Sequence, residues 1–362
     1  MKSTEQPRLT ISPFLVLVLI HSMQFGPEYL AMSIKPIQLA GQDAWVSVVL
    51  WGLIFHVIIW MMYQILNHNE TDLVHIHQHF FGKLVGGALN FGFIIYFLLV
   101  ASYLIRQFIE IIQVWLFPDL VTWTLALALL MLVYYIVAGG FRVIVGICMV
   151  SLVRYVTIFA LFFPVAYFHF NNLTPIFDHS VIDIIQAGKE MTFPYLGVES
   201  LFFCYTFIES PKKSQKWAHI ANVLSTVSYL LIIIFALLMF KPEQLSKEIW
   251  PQLTKYKFIH FPFIERFEYI GAVAQILWVI PIICFGLWAA SRMCKLMFTV
   301  KQLTALPILL VLVFTIVCLI PNHTRISSVQ SMLSGIGFYI VLVYIPFLYI
   351  VDMVRMKVRR TV

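Results

Sequence analysis

Two stretches decide how this chain folds: Gln24-Phe25-Gly26-Pro27-Glu28 and Phe193-Pro194-Tyr195-Leu196-Gly197-Val198-Glu199. Each sets proline, glycine and a glutamate inside an apolar run long enough to cross a bilayer. Proline in a helix interior removes a backbone donor and clashes with the preceding turn, at a cost of about 3 kcal/mol or more. Glycine eases the departure from helix. In hydrocarbon the freed carbonyls are tolerated only where the break is buried in protein or lines a wet cavity. Interrupted helices at matching positions of two halves point to a binding site near the midplane. A plain proline kink between packed helices is the alternative for the first stretch.

Outward from these breaks, the whole chain has membrane character. Of 362 residues, 61% are hydrophobic and 11% charged, whereas soluble domains carry about 25% charged residues. About ten stretches meet the roughly 20-residue requirement of a spanning helix: 12–33, 44–66, 84–114, 119–138, 142–168, 186–208, 217–240, 266–293, 304–321 and 328–354. The connections are short, so residues 1–362 read as a single transmembrane domain.

The net charge of +7 follows topology, which removes the argument for nucleic acid. Lys2, Arg8, Lys83, Arg142, Lys212, Lys213, Lys216, Arg292, Lys295, Lys301, Arg355, Lys357, Arg359 and Arg360 fall on the N-terminal side. Lys35, Lys241, Lys247, Lys255, Lys257 and Arg325 fall on the other. The positive-inside rule then puts both termini in the cytoplasm. No small-residue cleavage site follows the first apolar run, which reads as a retained span. Cys148, Cys204, Cys284, Cys294 and Cys318 lie in or at the ends of spans without metal-ligand spacing and read as buried apolar side chains.

Glu199 falls near mid-membrane, where a charge costs about 2.5–3.5 kcal/mol on insertion scales and normally faces an interior site. A functional or coupling role and a structural ion pair are its two readings. Arg154 sits midway along the fifth stretch and, as a guanidinium, cannot shed its proton. Glu28, Glu199 and the carbonyls of the first break are its candidate partners. It reads as a fixed cation in place of a metal ion, or as part of an internal salt bridge. Arg106 and Glu110, four apart, read as a pair at a helix end. Tyr96 and Tyr103 share that helix and could face a cavity. Gln24, Gly26, Glu28, Tyr96, Val100, Phe193, Gly197 and Glu199 form the candidate ligand set, with Arg154, Arg106 and Glu110 as charge-balancing or coupling residues. His75, His77 and His79 alternate as on a metal-binding strand, yet 71–84 also reads as an amphipathic surface helix. The loop 241–265, with Trp250, Tyr256, Phe258, His260 and Phe261, could lid the site or meet a partner. No catalytic motif is present; no enzyme activity, cofactor or metal is expected.

Several motifs resemble the spore germination permease family: Gln24-x-Gly26, Asp43-Ala44-Trp45-Val46-Ser47, Tyr96-Phe97-Leu98-Leu99-Val100-Ala101, Arg106-Gln107-Phe108, Gly197-Val198-Glu199 and Pro211-Lys212-Lys213. The resemblance runs over essentially the whole chain. It implies a B subunit of a GerA-type germinant receptor, in the inner membrane of the spore with A and C subunits, sensing a small nutrient such as an amino acid or nucleoside. It also implies similarity to the amino acid–polyamine–organocation superfamily. The fold expected is therefore all-α integral membrane, about ten helices in a five-plus-five inverted repeat (LeuT-like) with helices one and six broken.

Two departures from that pattern stand out. Pro27-Glu28 replaces the end of the family's Gln-Ile-Gly-x-Gly stretch, and a carboxylate there would repel an acidic ligand group. Span eight, Ala274-Gln275-Ile276-Leu277-Trp278-Val279-Ile280-Pro281 and onward to Ser291, has no central hydroxyl, which argues against sodium coupling. A proton-coupled or uncoupled permease, and an ion-conducting or structural subunit without its own ligand, remain the alternative functions.

Overall fold

The computed structural model describes residues 10–259 and 265–361, which excludes His260 and Phe261 of the predicted lid. Ten spans follow one another. Span 1 is Leu15–Gln24, a break at Phe25 and Gly26, the 3₁₀ turn Pro27–Leu30 and the helix Ile34–Ala40. Spans 2, 3 and 4 are Ala44–Asn69, Leu73–Trp115 and Thr122–Ala138. Span 5 joins Phe141–Val150 to Tyr155–Ala160 through a 3₁₀ turn at Ser151–Arg154. Span 6 is Val181–Tyr195 and then, past Gly197, the short turns and helix from Val198 to Phe207. Span 7 is Pro211–Met239, span 8 runs through Phe267–Ala274 and Ile276–Phe298, and span 9 is Gln302–Leu319. Span 10 runs from His323 through a π turn at Tyr339–Tyr344 to Thr361.

Among the described residues, seven helices are long and apolar enough to cross a membrane; Leu15–Gln24, Thr122–Ala138 and Val198–Phe207 are shorter apolar helices. The chain is an all-α integral membrane protein with spans 1 and 6 broken. Apolar side chains such as Leu53, Val57 and Trp60, at helical spacing on span 2, point outward as expected for a lipid-facing stripe. Span 3 packs along span 8, and span 7 along spans 1 and 2, so the two broken spans are enclosed.

The structure moves some predicted boundaries. Span 1 extends past residue 33 to Ala40, and span 5 stops at Ala160 rather than 168. Pro164 lies just beyond, and the apolar stretch after it is irregular. That stretch is pinned from the turn between spans 1 and 2. The fully buried Asp43 accepts backbone N–H bonds from Phe177 (2.6 Å), Asp178 (2.8 Å) and His179 (3.1 Å). Asp43→Ala removes the acceptor of all three N–H groups and leaves them to solvent, at a net cost of about 0.5–1.5 kcal/mol per hydrogen bond. It should lower the melting temperature of the detergent-solubilised protein measurably; an unchanged melting curve would refute the clamp.

The histidine cluster is helical, not a strand. His75, His77 and His79 precede a break at Gly82, where φ is +78°. His77 turns inward to Asn90 (2.6 Å) and the Tyr344 hydroxyl (2.7 Å), whereas His75 bonds Asp72 (2.6 Å). Among the described residues no group of three His, Cys, Asp or Glu side chains could hold a metal ion. On this face, where the chain enters span 1, Asp352 bonds His68 (2.7 Å) and Asn69 (2.9 Å), and Asp72 meets Arg292 (3.1 Å). These contacts close spans 2, 3, 8 and 10 against one another.

Candidate functional site

The two breaks meet, and span 7 holds them together. The Tyr229 hydroxyl lies 2.8 Å from the Gln24 carbonyl and 2.6 Å from the Pro194 carbonyl, so one proton is shared between the two interruptions. One and two turns back along the helix, Ser225 donates to the Gln24 side-chain oxygen (2.9 Å) and Asn222 accepts from its nitrogen (3.1 Å). Asn222, Ser225 and Tyr229 share a face of span 7. This stripe was not among the sequence candidates. Its signal was polar residues at helical spacing inside an apolar span.

Arg154 serves the first break. Nη1 donates to the Phe25 carbonyl (2.8 Å), Nη2 to the Ser22 and Ser151 hydroxyls (2.8 Å each), and the guanidinium lies 5.6 Å from the Phe25 ring centre. Of the expected partners it takes the carbonyl; it forms no ion pair with Glu28 or Glu199. The arrangement is a cation bound by a bare carbonyl and two hydroxyls, supplied by the protein itself.

At the second break, Glu199 turns back on its own turn. Its Oε2 accepts from the Gly197 N–H (2.7 Å) and its Oε1 from the Tyr96 hydroxyl of span 3 (3.0 Å). Gly197 has φ +110°, and an added Cβ would stand 2.5 Å from the backbone carbonyl of Met23. The half-helices of span 6 therefore approach span 1 more closely than any side chain allows.

Between spans 1, 3, 6 and 8 these residues enclose a cavity of about 60 Å³. Gln24, Glu28, Tyr96, Val100, Phe193, Gly197 and Glu199 line it, joined by Tyr103, Phe97 and Phe285. Gly26 does not. It lies beneath the Glu28 carboxylate, and a Cβ there would run into Glu28 Oε2. On the far face a larger vestibule of about 720 Å³ shares Glu28 and Phe193 with the cavity wall. Trp250 of the 241–265 loop lines this vestibule, and Tyr256 reaches inward to the Tyr29 hydroxyl (3.4 Å).

Arg106 and Glu110 lie outside the cavity, and the expected pair between them is not made. Arg106 donates to the carbonyls of Ile320 (2.9 Å) and Pro321 (3.2 Å), while Glu110 meets His323 (3.1 Å). Both tie span 3 to the connection between spans 9 and 10. The guanidinium is directed at the carbonyls that follow span 9, and the carboxylate one turn away is taken up by His323.

A cavity set between two interrupted spans defines the class: a broken-helix membrane protein of permease type. Residues 10–326 match the model of the spore germination protein family, and the chain belongs to that family. It is 38% identical over 351 residues to the spore germination protein GerQB of Bacillus cereus, covering 97% of this chain and 98% of that one. It is 22% identical to YndE of Bacillus subtilis over 92% and 93% of the two chains. Among solved structures, a variant of the manganese transporter of Eremococcus coleocola superposes with a TM-score of 0.59 at 11% identity, covering 95% of this chain and 81% of that one. The shared fold is the LeuT-like inverted repeat of transporters.

Proposed function

We propose that this chain is the nutrient-binding membrane subunit of a spore germinant receptor. A small nutrient, an amino acid or nucleoside, is held between spans 1, 3, 6 and 8, and its binding is passed to A and C subunits in the inner membrane of the spore. Both termini lie in the cytoplasm. The observation that carries this reading is the convergence of both breaks, with seven of the candidate ligand residues, on one cavity.

The cavity is small beside the roughly 300–1,000 Å³ typical of ligand pockets. A nutrient arriving through the vestibule must therefore displace Phe193, which packs edge-on against Tyr103 at 5.9 Å. Because Tyr229 bonds carbonyls of spans 1 and 6 together, movement of one half-helix is felt by the other. Arg154 acts as the built-in cation of the first break.

Val100→Trp, which fills the cavity, and Glu199→Gln, which replaces its carboxyl by an amide, test the reading in spores that depend on this chain. Each should raise the nutrient concentration for half-maximal germination at least about tenfold, equivalent to about 1.4 kcal/mol, at unchanged protein level. Normal dose–response curves for both would overturn it. A permease reading draws on the vestibule reaching the cavity wall from one face while ion pairs close the other, an arrangement suited to alternating access. Uptake of the nutrient into proteoliposomes separates a permease from a pure sensor.

A further inference from the structure

Glu28 carries an oxygen without a donor. Oε1 is buried and has no hydrogen-bond partner, although Glu28 lines both the cavity and the vestibule. Oε2 lies against Gly26 of the first break. Glu199 differs, since each of its oxygens already accepts a bond, from Tyr96 and from Gly197. Among the described residues no Lys, Arg or His lines the cavity, and the guanidinium of Arg154 donates to Phe25, Ser22 and Ser151. The remaining walls are mainly aromatic and aliphatic. A carboxylate oxygen buried among such groups without a donor is destabilised.

Resting on the reading of this cavity as a ligand site, we infer that its ligand presents hydrogen-bond donors to Glu28, as a protonated amine or a vicinal diol, and bears no carboxylate. An acidic group would stand beside two carboxylates with no cation to receive it. A donor, by contrast, completes the bonding of Glu28: an ammonium makes a charge-assisted hydrogen bond to the open oxygen, and a diol hydroxyl donates to the same atom. Tyr96, Phe97, Tyr103, Phe193 and Phe285 suit either form, holding a cation over a ring face or stacking on a planar ring. The route inward agrees, because Glu28, Glu110, Glu190 and Glu248 outnumber Lys35 and Lys189 along the vestibule.

Membranes carrying the full-length chain give the test, by equilibrium binding of tritiated matched pairs. L-Alaninamide against L-alanine changes only the carboxylate; adenosine against 2′-deoxyadenosine changes only the diol. At least one pair should favour the donor-bearing, carboxylate-free member tenfold or more. Glu28→Gln should abolish that preference while the protein melts as the wild type does. Equal binding within both pairs, a preference that survives Glu28→Gln, or no saturable binding of any of the four would overturn the inference. Val100→Trp separates this from failure of the cavity reading. Binding untouched by Val100→Trp removes the cavity as the site, whichever probe is preferred. Binding lost with Val100→Trp but indifferent to Glu28→Gln leaves the cavity and removes the donor requirement.

Discussion

Gly197→Ala is expected to leave little folded protein in the membrane. The residue has φ +110°, and a methyl group there would meet the Met23 backbone at 2.5 Å. Strained conformations of this kind cost about 1–3 kcal/mol in a residue with a side chain, before the steric term. Backbone cannot swing aside as a side-chain tip can, so span 6 must retreat from span 1 and pull Pro194 away from Tyr229. Gly26→Ala is the control. Its Cβ would meet only the ends of the Glu28 and Ile282 side chains, which can rotate, so its loss should be far smaller. Immunoblots of membranes and melting curves in detergent measure both. Equal amounts and equal melting temperatures for Gly197→Ala and wild type would show that the two breaks do not need their close approach.

Arg154→Leu should abolish the nutrient response while the protein still accumulates. Charge-assisted hydrogen bonds contribute about 1.5–3 kcal/mol each. Their loss is partly offset, because an arginine at the centre of a spanning helix costs about 2.5–3.5 kcal/mol on insertion scales. Replacing a buried ion by an apolar residue is often close to neutral for stability. Ser22 and Ser151 also keep a bond to the Cys148 carbonyl (3.3 and 2.6 Å). The Phe25 carbonyl loses its donor, so the first break is no longer fixed where Gln24 and Glu28 face the cavity. Arg154→Lys, which keeps the charge but not the two-pronged geometry, should restore part of the response. Germination followed by loss of spore refractility, with the protein quantified in parallel, reads both variants. A full response from Arg154→Leu would make the guanidinium a packing element only.

The two predictions divide along the line between local and tertiary information. Pro27 and Pro194 break their helices wherever those helices sit, because a missing N–H and a ring clash act within one turn. Glu199 and Tyr96 could each be named in advance as candidate cavity residues, since hydrocarbon leaves a polar side chain few places to go, but the bond between them could not. Arg154 could be given only a set of possible partners. The choice of the Phe25 carbonyl over either glutamate depends on how spans 1 and 5 are rotated against each other. Gly26 shows the same limit: its permissive backbone was legible, but the Glu28 side chain folds over it and takes its place at the cavity wall.

By itself the sequence determined that the chain lies in a membrane, that it crosses about ten times, and that spans 1 and 6 are interrupted beside buried acids. Hydrophobic run length and proline stereochemistry are local quantities, and they need no partner to be read. Only the tertiary structure decided that Tyr229 joins the two breaks, that Asp43 clamps the 161–180 stretch, and that Glu28 keeps an oxygen without a donor. The first two are contacts between groups far apart along the chain and the third is a partner that packing does not supply; a hydrogen bond a few ångströms long, made or missing, is set by how whole helices pack.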